Sequence, residues 1–288
     1  MCLTCGCSDN ASLMLTDLQT GQTLSLQAVH EHDHDHSHDH DHRHDHDHSH
    51  DHDHDHRHEI PTAVTTQRGR IIRLEQDVLA KNNLLAERNR GWLMGRDILA
   101  LNLISSPGAG KTTLLERTIR ELGSKLPISV IEGDQATLHD AERIQATGSK
   151  VVQINTGTGC HLEADMTARA LRQLDPPLHS LVMIENVGNL VCPALFDLGE
   201  RAKVVIMSVT EGENKPVKYP HAFRASQVMI LNKIDLLPYV NFDVDQCLAF
   251  AREVNPSLRV FQISATRGDG LSDWYAWLHE QSANNPPL

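Results

Sequence analysis

A short glycine-containing segment constrains the fold of this chain more than any other feature. Residues 105–112 read Ser-Ser-Pro-Gly-Ala-Gly-Lys-Thr; they directly follow an apolar run at 98–104 and open a helical pattern over 112–122. Strand–loop–helix segments of this kind cradle phosphate, because the free amides of the helix N-terminus point at the anion. The segment therefore predicts an α/β fold with a phosphate-binding loop (P-loop) at a strand end.

Further apolar runs extend the pattern along the chain. They occur at 128–131, 151–154, 181–184, 204–209, 228–231 and 260–263, and helical patterns such as 244–253 separate most of them. Continuous apolar strands that alternate with helices indicate a doubly wound, largely parallel sheet of the P-loop NTPase kind. Apolar residues that recur between 71 and 93 predict one or two helices leading into it.

The loop carries residue types suited to a nucleoside triphosphate. Lys111 brings a positive charge to the β- and γ-phosphates, and the Thr112 hydroxyl can ligate Mg²⁺. Ser105 stands where the strict loop pattern has its first glycine. The candidate phosphate-binding residues are Gly108, Ala109, Gly110, Lys111, Thr112 and Thr113.

A second motif predicts which base is bound. Asp235, in Asn232-Lys233-Ile234-Asp235 after the run 228–231, can accept hydrogen bonds from guanine donors that adenine lacks. Ser264 and Ala265 follow the last strand and fit backbone that contacts the guanine O6. We therefore expect GTP as the nucleotide, bound in part by Asn232, Lys233, Asp235, Ser264 and Ala265.

Acidic residues end two of the predicted strands. Glu185 can orient Mg²⁺ or its water, and the amide of Gly188 can sense the γ-phosphate. Asp134 is the first choice for holding Mg²⁺ or positioning the attacking water, and Asp140 is the second; either could instead stabilise a helix N-terminus. No water-orienting glutamine can be assigned. The expected catalytic residues are Lys111, Thr112, Asp134 and Glu185.

Three thiols, Cys2, Cys5 and Cys7, crowd into the N-terminal tip, residues 1–8. This spacing is too tight for a disulfide framework and suits Ni²⁺ or Zn²⁺ in a reducing cytosol. In the tract 30–58 histidine occupies every other position, with no apolar residue on either face. We expect a flexible segment over 9–59 whose tract binds several metal ions loosely, followed by a globular domain from 60 to 288.

A further candidate metal site lies within the globular part. Cys160 and His161 are adjacent in a loop, and Cys192 lies just beyond the predicted γ-phosphate loop. If the loop is turned, all three side chains can reach one ion, and nucleotide state could then alter metal geometry. Cys247 falls on an amphipathic helical pattern and is expected in the core.

Charge and hydropathy exclude several function classes. The formal net charge is −12, and the tract 30–58 accounts for −8 of it, with nine aspartates and one glutamate against two arginines. No basic patch indicates nucleic-acid binding. No apolar run reaches the roughly 18 residues of a membrane span, and no secretory signal begins the chain, so we expect a cytoplasmic location.

Taken together, these motifs make the chain resemble the HypB family of hydrogenase nickel-incorporation GTPases. The resemblance covers the tip and the region from about residue 60 onward. It implies a GTP-hydrolysing nickel chaperone for NiFe hydrogenase maturation, acting as a homodimer with a HypA-like nickel-insertion protein and the hydrogenase large subunit. It also implies a high-affinity nickel site at Cys2, Cys5 and Cys7, and a weaker nickel or zinc site at Cys160, His161 and Cys192.

Two alternatives remain open at this point. The histidine tract is also compatible with a nickel storage or buffer protein, and both roles can coexist. A urease accessory GTPase would share the histidine-rich start and the fold. The tip motif with Cys2, Cys5 and Cys7 argues against this second alternative.

Overall fold

The computed structural model describes residues 14–25, 67–135 and 138–283, which form a nine-stranded sheet covered by helices on both faces. The strand order is β2-β1-β5-β4-β6-β3-β7-β8-β9. The strands are β1 (Met14–Asp17), β2 (Thr23–Ser25), β3 (Leu99–Ser105), β4 (Ile128–Asp134), β5 (Lys150–Asn155), β6 (Leu181–Glu185), β7 (Ala202–Ser208), β8 (Val228–Asn232) and β9 (Arg259–Gln262).

All the strands from β3 to β9 pair in parallel, which confirms the expected doubly wound sheet. All seven predicted apolar runs lie largely within these strands. The central strands β3 and β7 are buried along their whole length, as strands covered on both faces must be.

The helices form two layers, one on each face of the sheet, because successive side chains along a strand point to opposite faces. Leu101 and Leu103 of β3 face one layer, which contains α2, α3 and α9, whereas Ala100 faces the opposite layer with α1 and α4. The helices are α1 (Gln67–Met94), α2 (Lys111–Leu122), α3 (His139–Gln145), α4 (Ala164–Leu174), α5 (Cys192–Leu195), α6 (Lys215–Lys218), α7 (Pro220–Ala225), α8 (Val244–Val254) and α9 (Leu271–Ala283), with a 3₁₀ helix at Ile234–Tyr239.

The hairpin of β1 and β2 corrects one sequence-based expectation. Residues 14–25 were expected to belong to a flexible segment over 9–59, but β1 pairs antiparallel with β5 and extends the sheet. Leu15 is almost fully buried against the second helical layer, whereas the other three residues of β1 are only partly buried. The expected tip and histidine tract lie outside the described residues.

The one or two helices expected before the domain form a single 28-residue helix, α1. Buried asparagines bind it to the second layer: Asn82 Nδ2 donates to the carbonyl of Asp197, and Asn89 Nδ2 donates to that of Ala164. None of the helices in the described part of the chain combines the length and apolar character that a membrane crossing requires.

Candidate nucleotide and metal site

A polar cavity of about 540 Å³ opens at the carboxyl ends of β3, β4 and β6. This is where a doubly wound sheet places its ligand, because the loops that follow the strands diverge there. The cavity is lined by Pro107, Gly108, Gly110, Lys111, Thr112, Thr113, Glu132, Gly133, Asp134, Gln135, Asp140, Arg143, Cys160, Glu185, Asn186, Val187, Gly188, Asn189 and Lys233.

The predicted loop between β3 and α2 forms one wall. Gly108 and Gly110 have φ angles of 76° and 98°, which alanine adopts only with strain. Lys111 Nζ donates to Ser105 Oγ at 2.8 Å. Ser105 is completely buried, so the residue that departs from the strict pattern holds the loop lysine in place.

Two buried carboxyl groups face each other in register across β4 and β6. Thr112 Oγ1 donates to Glu185 Oε1 at 2.8 Å, and Glu132 stands opposite Glu185 in the sheet. Burial raises the pKa of Glu185 to about 7, against the opposing effects of Lys111 and Thr112. Burial, and then the charge of Glu185, raises the pKa of Glu132 to about 9.

The two aspartates considered as catalytic groups have different surroundings. Asp134 ends β4 in the cavity wall, and its carbonyl accepts from the amide of Thr156 at 2.8 Å. Asp140 also lines the cavity but accepts from Arg143 Nη1 at 3.1 Å. Arg143 in turn donates to Glu116 at 2.7 Å, so Asp140 belongs to an ion-pair network on α2 and α3.

The expected guanine-binding residues gather around Asn232. Its Nδ2 donates to the carbonyl of Ala109 at 2.9 Å, and its Oδ1 accepts from the amides of Lys233 and Ala265 at 2.8 and 3.1 Å. Lys233 Nζ donates to the carbonyl of Gly108 at 2.7 Å. Asp235 is half-buried at the start of the 3₁₀ helix; neither it nor Ser264 lines the cavity, and Ser264 Oγ accepts from the amide of residue 267.

The three predicted ligands of the inner metal site come together. Ligand atoms of Cys160, His161 and Cys192 all lie within 4.8 Å of one another. Cys160 Sγ is 2.9 Å from Cys192 Sγ and 3.6 Å from His161 Nδ1. Two thiols and one imidazole form a soft ligand set that suits Ni²⁺ or Zn²⁺.

The surroundings of His161 fix its ring. The imidazole packs against Phe196 with the ring centres 3.9 Å apart and the ring planes at 32°, and only 7% of the residue is exposed. Its Nε2 lies 3.6 Å from Glu163 Oε1, and this polar contact lowers the pKa of Glu163. The Glu163 carboxylate lies on the Nε2 side of the imidazole, and Nδ1 faces the thiol of Cys160. Metal-binding histidines commonly have a carboxylate beside the ring nitrogen that does not bind the metal.

The metal cluster and the nucleotide cavity share a wall. Cys160 lines the cavity as well as belonging to the cluster. A Cβ placed on Gly133 would stand 2.9 Å from the side chain of Leu162, so the end of β4 packs directly against the metal-binding loop. Cys247, by contrast, is fully buried between α8 and the sheet, as expected.

Sequence reasoning missed several residues of this site. The structural roles of Ser105, Glu132 and Arg143 depend on which side chains meet across α2, β4 and α3, which spacing does not reveal. Asn186 and Asn189 lie in the motif around Gly188 that the sequence singled out, but their contacts with the metal-binding loop do not follow from the motif.

The fold and the cavity define an α/β P-loop nucleotide-binding protein. Residues 99–262 match the family model described as CobW/HypB/UreG, nucleotide-binding domain. The hydrogenase maturation factor HypB of Escherichia coli K12 is 58% identical over 212 residues, covering 74% of this chain and 73% of that protein. The chain therefore belongs to the HypB family of P-loop GTPases.

Solved structures of this family have the same fold. The crystal structure of the hydrogenase maturation factor HypB from Archaeoglobus fulgidus is 38% identical, covers 70% of this chain and 99% of that chain, and gives a TM-score of 0.66. HypB from Helicobacter pylori, crystallised in complex with nickel, is 34% identical, covers 72% and 98% of the two chains, and gives a TM-score of 0.67.

Proposed function

We propose that this chain binds and hydrolyses GTP and uses the nucleotide cycle to hold and release nickel during NiFe hydrogenase maturation. The observation that carries the proposal is the position of Cys160, which lines the nucleotide cavity and also belongs to the Cys/His cluster. The relatives are hydrogenase maturation factors, and one of them was crystallised with nickel.

On the nucleotide side, each residue has a definite role in the proposal. Lys111 neutralises the β- and γ-phosphates, the amides of the loop and of Gly188 bind phosphate oxygens, and Thr113 supports the phosphate nearest the sugar. Asp235 selects guanine, since adenine would leave its half-buried carboxylate without a partner. Asp134 positions the attacking water.

The acidic side of the cavity fits Mg²⁺. Glu132 Oε2 and Glu185 Oε2 are buried and accept no hydrogen bond from the described residues, as expected of oxygens that face a cation or its waters. Thr112 and Glu185 would hold the ion directly or through water. When bound, Mg²⁺ neutralises phosphate charge, whereas the chain's own contribution is to fix the hydroxyl of Thr112 against Glu185.

Nickel is the cargo in this proposal. Cys160, His161 and Cys192 bind it, or Zn²⁺ in competition, beside the γ-phosphate loop. Cys2, Cys5 and Cys7 form a tighter site, and the tract 30–58 forms a reservoir. The chain works as a homodimer and passes nickel to a HypA-like protein and the hydrogenase large subunit.

The proposal is tested by titrating Ni²⁺ and assaying phosphate release with GTP and with ATP, on the wild-type chain and on Cys160→Ala, Cys2→Ala and tract-deleted variants. We expect GTP to be hydrolysed far better than ATP, and each variant to lose a separable class of nickel site. Equal use of ATP would contradict the guanine assignment, and unchanged nickel binding by Cys160→Ala would contradict the inner site.

Nickel storage is a second candidate, which the fifteen histidines of the tract 30–58 favour. Deletion of residues 31–58 separates the two functions in cells. If storage is the only role of the tract, hydrogenase activity should fall at scarce nickel and recover when nickel is plentiful. Activity that stays absent at plentiful nickel would show that the tract is needed for delivery.

A further inference from the structure

The loop that joins β6 to α5, residues 186–191, belongs to both sites. It starts directly after Glu185 and carries Val187 and Gly188 in the wall of the nucleotide cavity. It ends at the metal-cluster residue Cys192, the first residue of α5. Only three residues of chain therefore separate Gly188 from a metal-binding thiol.

Asn186 connects this loop to the other half of the metal cluster. Its side chain is buried, and Oδ1 accepts from two amides, that of Leu162 at 3.2 Å and that of Val187 at 3.0 Å. Leu162 directly follows Cys160 and His161 in the chain. One oxygen atom thus holds the backbone beside the γ-phosphate position and the backbone beside two metal ligands.

The side-chain nitrogen of Asn186, Nδ2, connects the same side chain to the sheet. Nδ2 donates to Asn102 Oδ1 at 3.2 Å, and Asn102 Nδ2 donates to Glu200 Oε1 at 3.1 Å. Asn102 lies in β3, the strand that leads into the P-loop. Asn186 therefore joins β3, the loop 186–191 and the metal-binding loop, and a shift of Val187 that carries the Asn186 oxygen with it either lengthens the bond to Leu162 or displaces Leu162.

Asn189 makes a second, longer contact between the same two loops. Its Nδ2 donates to the carbonyl of Cys160 at 3.4 Å, while its Oδ1 accepts from the amide of Val191 at 2.8 Å. Unlike Asn186, this residue is half-exposed at the cavity rim. It offers a site where the link to Cys160 can be removed without disturbing the core.

We propose that Asn186 is a positioning residue that transmits the occupancy of the γ-phosphate site to the nickel cluster by displacing Leu162, with Asn189 reinforcing the link. This rests on the proposed function, because it assumes GTP in the cavity and nickel at Cys160, His161 and Cys192. Contact of a γ-phosphate with the Val187–Gly188 backbone shifts the oxygen shared with Leu162. The Cys160–His161 pair then moves relative to Cys192.

The test compares two substitutions at one position. Asn186→Asp keeps an acceptor oxygen for the amides of Leu162 and Val187, whereas Asn186→Ser is too short to reach Leu162. Asn255→Ser is the matched control, because Asn255 is a buried asparagine whose Nδ2 donates to the carbonyls of Phe223 and Ser226, away from both sites. Asn189→Ser is the surface variant and can still accept from the amide of Val191.

The readout must isolate the inner site in the full-length chain. Replacing Cys2, Cys5 and Cys7 with serine leaves Cys160 and Cys192 as the thiols able to give a thiolate-to-nickel absorption band, since Cys247 is buried in the core. The histidine tract contributes no such band. The measured quantity is the ratio of nickel dissociation constants with GDP and with a non-hydrolysable GTP analogue.

We expect wild-type and Asn255→Ser proteins to show the same ratio, at least about fivefold from unity, as is typical of allosteric coupling. Asn186→Ser should bring the ratio within about twofold of unity and shift the absorption band, Asn189→Ser should reduce it partly, and Asn186→Asp should retain it. A wild-type ratio in every folded Asn186 and Asn189 variant overturns the proposal. A ratio of unity in the wild-type protein itself refutes the nucleotide–nickel coupling of the proposed function, and the role of Asn186 falls with it.

Discussion

The substitution Gly110→Ala tests whether the P-loop and the guanine motif form one interlocked unit. Gly110 has φ of 98°, and a Cβ there would stand 2.5 Å from Asn232 Nδ2. Alanine in this conformation costs roughly 1–2 kcal/mol. The clash also breaks the buried bond from Asn232 to Ala109, and an orphaned buried group costs about 1–3 kcal/mol.

These costs sum to about 2–5 kcal/mol of unfolding free energy. For a domain of this size they correspond to a fall of about 4–20 °C in the melting temperature. Gly108→Ala is the matched control, because Gly108 has φ of 76° but a Cβ there would meet nothing within 4 Å. It should lose about 1–2 kcal/mol, from backbone strain alone.

The assay is urea or thermal unfolding of both variants without nucleotide, followed by GDP binding. Gly110→Ala should be clearly the less stable variant, because it alone disrupts the contact with Asn232. Equal destabilisation by the two substitutions would show that the bond between Asn232 and Ala109 does not hold the two motifs together, and would refute this reasoning.

Three further predictions concern the walls of the cavity. Ser105→Ala removes the partner of the Lys111 ammonium and should weaken GTP binding about tenfold in a fluorescent-nucleotide titration, because hydrogen bonds to charged groups contribute about 1.5–3 kcal/mol; unchanged affinity would contradict this role. In Gly133→Ala the added methyl group should displace Leu162 and weaken nickel binding at the inner cluster about tenfold, since overpacking costs roughly 1–3 kcal/mol. Lower stability with unchanged nickel affinity would show that the strain does not reach the metal-binding loop. The pKa of Glu132 in the folded state is raised to about 9. The contribution of this shift to the unfolding free energy is fully present below the unfolded-state pKa and is lost as the pH rises toward 9. Melting curves without metal or nucleotide should therefore show a smaller loss of stability between pH 6 and 9 for Glu132→Gln than for wild type, and parallel curves would contradict the buried carboxylate.

Local sequence patterns predicted most of the sheet, because parallel strands covered on both faces must be apolar throughout. The phosphate loop was equally clear, since glycines, lysine and threonine follow a strand and open a helix. The hairpin at Met14–Asp17 and Thr23–Ser25 was missed. Its strands are short and mainly polar, and its position depends on pairing with β5, far away in the chain.

The metal cluster shows where sequence reasoning reaches its limit. Adjacency suggested Cys160 and His161 as a pair, and proximity to the γ-phosphate loop suggested Cys192. Three contacts arise only because two loops meet in space. They are the carboxylate of Glu163 beside the His161 ring, the packing of Phe196 against that ring, and the bond from the Leu162 amide to Asn186. These contacts are visible only in the folded chain.

The most direct test of the account is the nickel affinity of the inner cluster in the two nucleotide states. The protein carries serine at positions 2, 5 and 7, and the thiolate-to-nickel band is titrated with Mg²⁺ present, once with GDP and once with a non-hydrolysable GTP analogue. The account predicts dissociation constants that differ by at least about fivefold, and loss of the band when Cys160 and Cys192 are both replaced by alanine. Identical dissociation constants, or a band that survives the double substitution, would contradict it.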